Sequence, residues 1–215
     1  PDYLRGLDQD VIFRTPGLRP DVPELLSAQA KGSMITSEME AFFPVCPCHT
    51  IGVTGSDGKT TTTTIIASLL KAAGYHTFVG GNIGRPLLAD ADGMEPDDWA
   101  VLELSSFQLM TMDLSPEIAV VTNLAPNHLD VHTSMEEYTA AKKNIFLHQG
   151  TADRAVFNYD NEITREFLEE TPGRAVSFSL RQELSQGVYG KDGAIWVAND
   201  QGRRSVLPLD GILLP

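Results

Sequence analysis

Residues Ile51-Gly52-Val53-Thr54-Gly55-Ser56-Asp57-Gly58-Lys59-Thr60-Thr61 leave the backbone few options. An apolar, β-branched lead-in breaks into a glycine-rich turn, and a lysine and threonine then open a helix. Gly55 and Gly58 permit backbone geometry that side chains forbid, so successive N–H groups can converge on phosphate oxygens. The helix N-terminus behind them adds partial positive charge. Lys59 is placed to reach the outer phosphates, and the Thr60 hydroxyl to ligate the Mg²⁺ that travels with them. The strict pattern G-x-x-x-x-G-K-[ST] is not met, because position 53 is Val. The strand before and helix after supply the context a phosphate loop needs.

Net charge of −13 argues against a nucleic-acid partner or an anionic membrane surface, since both require clustered Lys and Arg. A local phosphate site remains compatible with it, because backbone dipoles and a metal supply the positive field. No apolar run is long enough to span a bilayer and no signal peptide opens the chain, so a soluble cytoplasmic protein is expected. The first residues, Pro1-Asp2, and the last, Leu214-Pro215, suggest a fragment. The two cysteines, Cys46 and Cys48, flank Pro47. They are too few for structural zinc and too close for an unstrained disulfide, so free thiols are expected.

Strands are expected at 10–14, Met34-Ile35, His49–Thr54, His76–Val79, Trp99–Leu104, Ile118–Thr122 and Ala155–Asn158. Helices are expected at Pro23–Lys31, Ser37–Phe43, from Lys59 to Gly74, and over Met135–His148, with 44–47 as a linker. In the helix after the loop, Ile65, Ile66, Leu69, Leu70 and Ala73 recur at helical spacing, whereas threonines 60–64 are poor helix formers. The alternation predicts an α/β fold, a P-loop-type doubly wound and mostly parallel sheet. Beyond residue 170, segments 175–179, 186–189, 194–198 and 204–207 with their turns predict a C-terminal antiparallel extension built of hairpins.

Ligands of such a sheet sit beyond the carboxyl ends of its strands. Glu103 ends an apolar strand and needs a cation or donor, either Mg²⁺ beside the phosphate loop or a structural ion pair. Asn123, Asn127 and His128 follow the next strand, and His128 is either a satisfied structural residue or a metal ligand. Asn82, in Gly80-Gly81-Asn82-Ile83-Gly84, is either a phosphate donor or an asparagine suited to a left-handed turn. Lys142 shares its helix stripe with Met135, Tyr138, Ile145 and Phe146, while Lys143 projects elsewhere. An amine on that inner face either snorkels or must be neutralised or modified.

Taken in order, Thr54–Thr61, Gly81-Asn82-Ile83-Gly84, Glu103-Leu104-Ser105-Ser106-Phe107-Gln108-Leu109, Asn127-His128-Leu129-Asp130 and Tyr138-Thr139-Ala140-Ala141-Lys142 resemble the Mur ligase family. Asp57 stands where that family often has Asn. The resemblance implies an ATP-dependent amide ligase of peptidoglycan precursor synthesis that joins D-glutamate to UDP-N-acetylmuramoyl-L-alanine through an acyl phosphate. Gly55, Ser56, Asp57, Gly58, Lys59, Thr60, Thr61 and, on the adenine side, Asn158 would bind ATP. Thr60 and Glu103 would hold one Mg²⁺, and His128 with a carbamylated Lys142 a second. Asn82 and Ser105 would touch the UDP-sugar-peptide substrate, and Lys59, His128 and Lys142 would carry the catalysis. It also implies that 1–46 is the tail of a Rossmann-like UDP-binding domain and 47–215 the central ATP-binding domain. A C-terminal amino-acid-binding domain is expected to be absent, leaving this stretch inactive by itself; a monomer is expected. A sibling ligase, a folate-type relative or a nucleotide-binding module without turnover are the alternatives.

Overall fold

The computed structural model describes residues 2–125 and 132–212. Two sheets organise them. The smaller pairs β1 (Val11–Phe13) with β2 (Met34–Thr36) in parallel, with α1 (Pro23–Ala30) as the crossover between them. Pro23 opens α1 at a position where a missing N–H is harmless. Then α2 (Glu38–Phe42) follows, capped by the Ser37 hydroxyl, which accepts from Glu40 N at 3.3 Å.

The larger sheet has nine strands: β3 (His49–Thr54), β4 (Thr77–Gly81), β5 (Trp99–Glu103), β6 (Ile118–Val121), β7 (Arg154–Asn158), β8 (Arg174–Ser179), β9 (Gly187–Lys191), β10 (Ala194–Asn199) and β11 (Gly202–Pro208). Their order is β11-β10-β9-β8-β7-β6-β3-β5-β4. Every pairing from β4 to β9 is parallel, and only β9–β10 and β10–β11 are antiparallel. The doubly wound parallel sheet with a C-terminal antiparallel extension is therefore present, but β8 is not part of a hairpin. It runs parallel to β7 along its length and parallel to β9 over Phe178↔Val188 and Ser179↔Tyr189. Alternating hydrophobicity does not distinguish strand direction, and the connection 180–186 is shorter than the crossover parallel neighbours usually have, so the segment reads as a hairpin. The β10–β11 register shifts between Ile195 and Trp196.

The helices are α3 (Lys59–Ala72), α4 (Ser106–Leu109), α5 (Met135–Leu147) and α6 (Glu162–Glu166). Neither α4 nor α6 was expected. Val53, Val101 and Ala67 lie in the core between the sheet and α3, whereas Leu104, Ala119, Ile145 and Phe146 lie in the larger core that α5 covers. In α3 the expected apolar stripe is only partly used. Ala67 and Thr63 are buried, but Leu69 is 65% exposed. The weak threonine turn is held by side-chain bonds: Thr64 Oγ1 donates to Thr60 O at 2.8 Å and Thr60 Oγ1 donates to Glu103.

Cys46 and Cys48 are free thiols, as expected. Arg14, buried against the larger unit, donates to Leu18 O at 2.7 Å and to Thr111 Oγ1 at 3.0 Å. Arg19 reaches Glu137 on α5 at 2.8 Å, so the N-terminal unit is tied to the main sheet by polar contacts. Among the described residues, no helix is long and apolar enough to cross a membrane.

Candidate functional site

The central strand β3 delivers its chain into the loop 55–58 and on to α3, between β5 on one side and β6 on the other. Gly55 has φ 151°, and a Cβ there would lie 1.9 Å from Thr122 Oγ1. Gly58, at φ 80°, is the N-cap of α3 and offers no side-chain cap. The helix therefore begins with N–H groups that no capping side chain satisfies. Such an end, behind a glycine that leaves room for a ligand, fits the phosphate groups of a nucleotide.

A frame of hydrogen bonds holds the loop from behind. Asn123 Oδ1 accepts from Asp57 N at 3.0 Å, and Thr122 Oγ1 donates to Asp57 O at 2.7 Å. The Ser56 hydroxyl donates to Ala125 O at 3.0 Å and sits 3.1 Å from the Tyr138 hydroxyl on α5. Asn158, at the end of β7, donates to Thr122 O at 2.9 Å. Its side chain thus braces the strand that braces the loop. Asp57, Gly58, Thr60 and Thr61 face solvent.

Glu103 is buried at the end of β5, where two neutral donors converge on it. Thr60 Oγ1 donates to one carboxylate oxygen at 2.6 Å and Asn82 Nδ2 to the other at 2.8 Å. The Asn82 N–H also donates to Glu103 O at 2.7 Å. That approach needs Gly81, at φ 89°, where a Cβ would come within 2.2 Å of Glu103 O. No structural ion pair to Glu103 is found among the described residues, which leaves its charge facing the loop mouth. A carboxylate oxygen beside a threonine hydroxyl is a hard-oxygen set that fits Mg²⁺.

Two lysines converge on the loop from opposite sides. Lys59 Nζ donates to Gly55 O and Ser56 O, each at 3.0 Å. Lys142 Nζ donates to the same Gly55 O at 2.9 Å and to Thr54 Oγ1 at 3.1 Å, with the Tyr138 ring 4.9 Å away. Lys142 is only 2% exposed and does not snorkel. Burial, reinforced by the Lys59 charge and partly offset by Glu103, pushes its amine down to about 7. As an ammonium it opposes a cation, so this face fits a second Mg²⁺ only if the amine is chemically converted. His128 and Asn127 lie outside the described residues. Among the described residues, no three His, Cys, Asp or Glu side chains gather.

Lys59, Asn82, Ser105, Ser106, Tyr138 and Lys142 line one cavity of about 180 Å³. Ser105 caps α4, and its hydroxyl and Gln108 complete a capping box. Two contributors had no signal in sequence. Thr54 holds Leu104 O at 2.7 Å while receiving Lys142, and buried His132 lies 2.8 Å from the Ser106 hydroxyl and stacks on Phe107 at 5.2 Å. Thr54 is hidden in a strand, and the contact between His132 and Ser106 spans separate elements. The Ser105-x-x-Gln108 spacing is the signal that could have shown the start of α4, and it was not used.

A family described as the Mur ligase middle domain matches residues 53–200. The chain is 51% identical over its full length to a UDP-N-acetylmuramoylalanine–D-glutamate ligase of Acetivibrio thermocellus and 50% identical to that of Ruminiclostridium cellulolyticum. It spans 46% of each of those proteins. Among solved structures, a UDP-N-acetylmuramoyl-L-alanyl-D-glutamate–2,6-diaminopimelate ligase aligns with 95% of this chain and 58% of its own, with a TM-score of 0.61 at 18% identity. E. coli FolC in complex with ADP aligns with 80% of this chain and 52% of its own, with a TM-score of 0.54. At that identity these two likenesses concern the fold.

Proposed function

This chain belongs to the Mur ligase family, and we propose that it supplies the ATP and Mg²⁺ site of an amide ligase joining D-glutamate to UDP-N-acetylmuramoyl-L-alanine in the cytoplasm. The observation that carries the reading is the convergence on Glu103, where the first-turn hydroxyl of the loop helix and the Asn82 amide meet one buried carboxylate. Identity of 50–51% to D-glutamate ligases over the whole chain supports the choice of substrates. Residues 1–46 are then the tail of a UDP-binding domain and 47–215 the central domain, acting as a monomer.

In this reading the N–H groups at the start of α3 cradle the phosphates of ATP, and Lys59 exchanges its two loop carbonyls for phosphate oxygens. Thr60 and Glu103 hold the first Mg²⁺, and Asn82 and Ser105 orient the UDP-linked substrate at the cavity. Bound Mg²⁺ offsets the repulsion between two anionic reactants and the charge that develops as the phosphoryl group moves to the substrate carboxylate. Gly55, Ser56, Asp57, Gly58 and Thr61 shape the cradle, and Asn158 lies on the adenine side. The amine of D-glutamate then displaces phosphate from the acyl phosphate. Titration calorimetry tests the site directly. Mg·ATP should give heat with this chain, and Lys59→Ala should weaken binding by at least about tenfold, the loss of roughly 1.4 kcal/mol of phosphate contact. Unchanged affinity in a folded Lys59→Ala protein would remove the phosphate-loop assignment.

Lys142 is carbamylated in the working site. The ammonium first gives up one proton, and the neutral amine then adds to CO₂ through a new N–C bond and releases a second, so a cation becomes an oxygen-bearing anion. With His128, that carbamate would ligate the second Mg²⁺. Burial favours the neutral amine that the addition requires. With ¹³C-bicarbonate, a lysine carbamate signal should grow as pH rises from about 6 to 8 through the lowered amine value, and Lys142→Met should erase it. A signal absent throughout that range refutes the modification.

A further inference from the structure

We propose that Cys46, Cys48 and Met94 form a site for a soft monovalent metal ion, Cu(I), at the end of the sheet remote from the nucleotide loop. The two thiol sulfurs are 3.4 Å apart, and Cys48 Sγ lies 3.8 Å from Met94 Sδ. With metal–sulfur bonds of about 2.3 Å, those separations correspond to S–metal–S angles of roughly 95° and 111°. Cys48 can therefore share one ion with either neighbour, and binding all three sulfurs requires the Cys46 and Met94 side chains to close on that ion together.

The donors select the ion. Two thiolates and a thioether suit Cu(I), whereas Mg²⁺ and Ca²⁺ need oxygen. Zinc would require a fourth strong ligand, and no three His, Cys, Asp or Glu side chains gather anywhere among the described residues. Met94 and Cys48 are buried, but Cys46 is only partly buried and gives an entry path. The Asp98 carboxylate lies near enough to oppose ionisation of Cys48, and its field favours an incoming cation. Burial and the adjacent Cys46 push the Cys48 thiol up to about 12. A weakly thiophilic ion such as Mg²⁺ cannot displace that proton, and a strongly thiophilic ion can. The balance is Cu⁺ plus two thiols and one thioether giving a three-sulfur complex and two released protons.

Cys48 immediately precedes β3, whose six residues at about 3.3 Å each place the sulfurs about 20 Å from the phosphate loop. Binding should therefore leave the nucleotide site unchanged. The test is an anaerobic titration of the full chain with Cu(I) against a chromophoric Cu(I) chelator, followed by X-ray absorption at the copper edge. One equivalent bound through three sulfurs is expected, with at least about tenfold weaker binding in Met94→Leu. Cys46→Ser should lose the ion yet keep the Mg·ATP heat of the parent, which shows that the variant is folded. Failure to compete with the chelator would overturn the proposal. So would a two-sulfur spectrum with full affinity in Met94→Leu, or equal retention of zinc.

Discussion

Four glycines in and around the loop do different things, and only the structure separates them. Gly52 lies inside β3, where a Cβ would press on Pro116 at 2.7 Å, so it serves packing rather than phosphate. Gly55 and Gly81 combine positive φ with polar atoms about 2 Å from where a Cβ would sit, Thr122 Oγ1 and Glu103 O. Gly58 has positive φ but open space around it. Gly58→Ala should therefore cost only the left-handed backbone penalty, about 1–2 kcal/mol. Gly55→Ala and Gly81→Ala should cost more than that, because the first must displace the Thr122 hydroxyl from its bond to Asp57 O and the second must push back the backbone of Glu103. Urea midpoints of the three variants check the ranking, and an equal loss in all three would contradict it. The lysines show the same gap between pattern and environment. The stripe placed Lys142 inward from its spacing alone, whereas its bond to the same carbonyl that Lys59 uses depends on the turn of β3 into the loop.

Helices long enough to show a period were legible, and of the short ones only α2, five residues behind its Ser37 cap, was. The pattern of α5 placed Tyr138, Ile145 and Phe146 inward, and all three are buried. By contrast, α4 has four residues and α6 five, too few for a hydrophobic repeat. Both are set by N-caps instead, Ser105 with Gln108 and Asn161 with Thr164. The start of α5 adds a charge device. Glu137 accepts from Arg19, from Thr133 N and from Thr133 Oγ1, which together draw its carboxyl down to about 2. A lowered carboxyl value means stability present above the unfolded value near 4.5 and lost as pH falls toward about 2. Denaturation midpoints should therefore fall over that window, and Glu137→Gln should flatten the slope. A slope unchanged by the substitution would assign the acid sensitivity elsewhere.

Across the molecule, the parallel part of the sheet followed from alternating strands and helices, but the point where direction reverses did not. The reversal lies one strand later than expected, because the contact of β8 with β9 is too short to leave a mark in the residue pattern. Beyond it, β11 ends the sheet among the described residues, with every residue exposed, Val206 and Leu207 included. An open strand with apolar side chains is a template for fibre growth. Three features stand in the way. Arg203 and Arg204 charge the rim, Pro208 withholds a donor, and the shift between Ile195 and Trp196 bends the last two strands out of line. Replacing both arginines by valine should leave the melting temperature within a few degrees, by the small scale of surface substitutions, yet raise light scattering on incubation. If scattering stays at the parent level, the irregular register alone keeps copies of the sheet from joining. The small offset between β10 and β11 is then a chain terminator in the polymer chemist's sense, a defect that stops growth at one molecule.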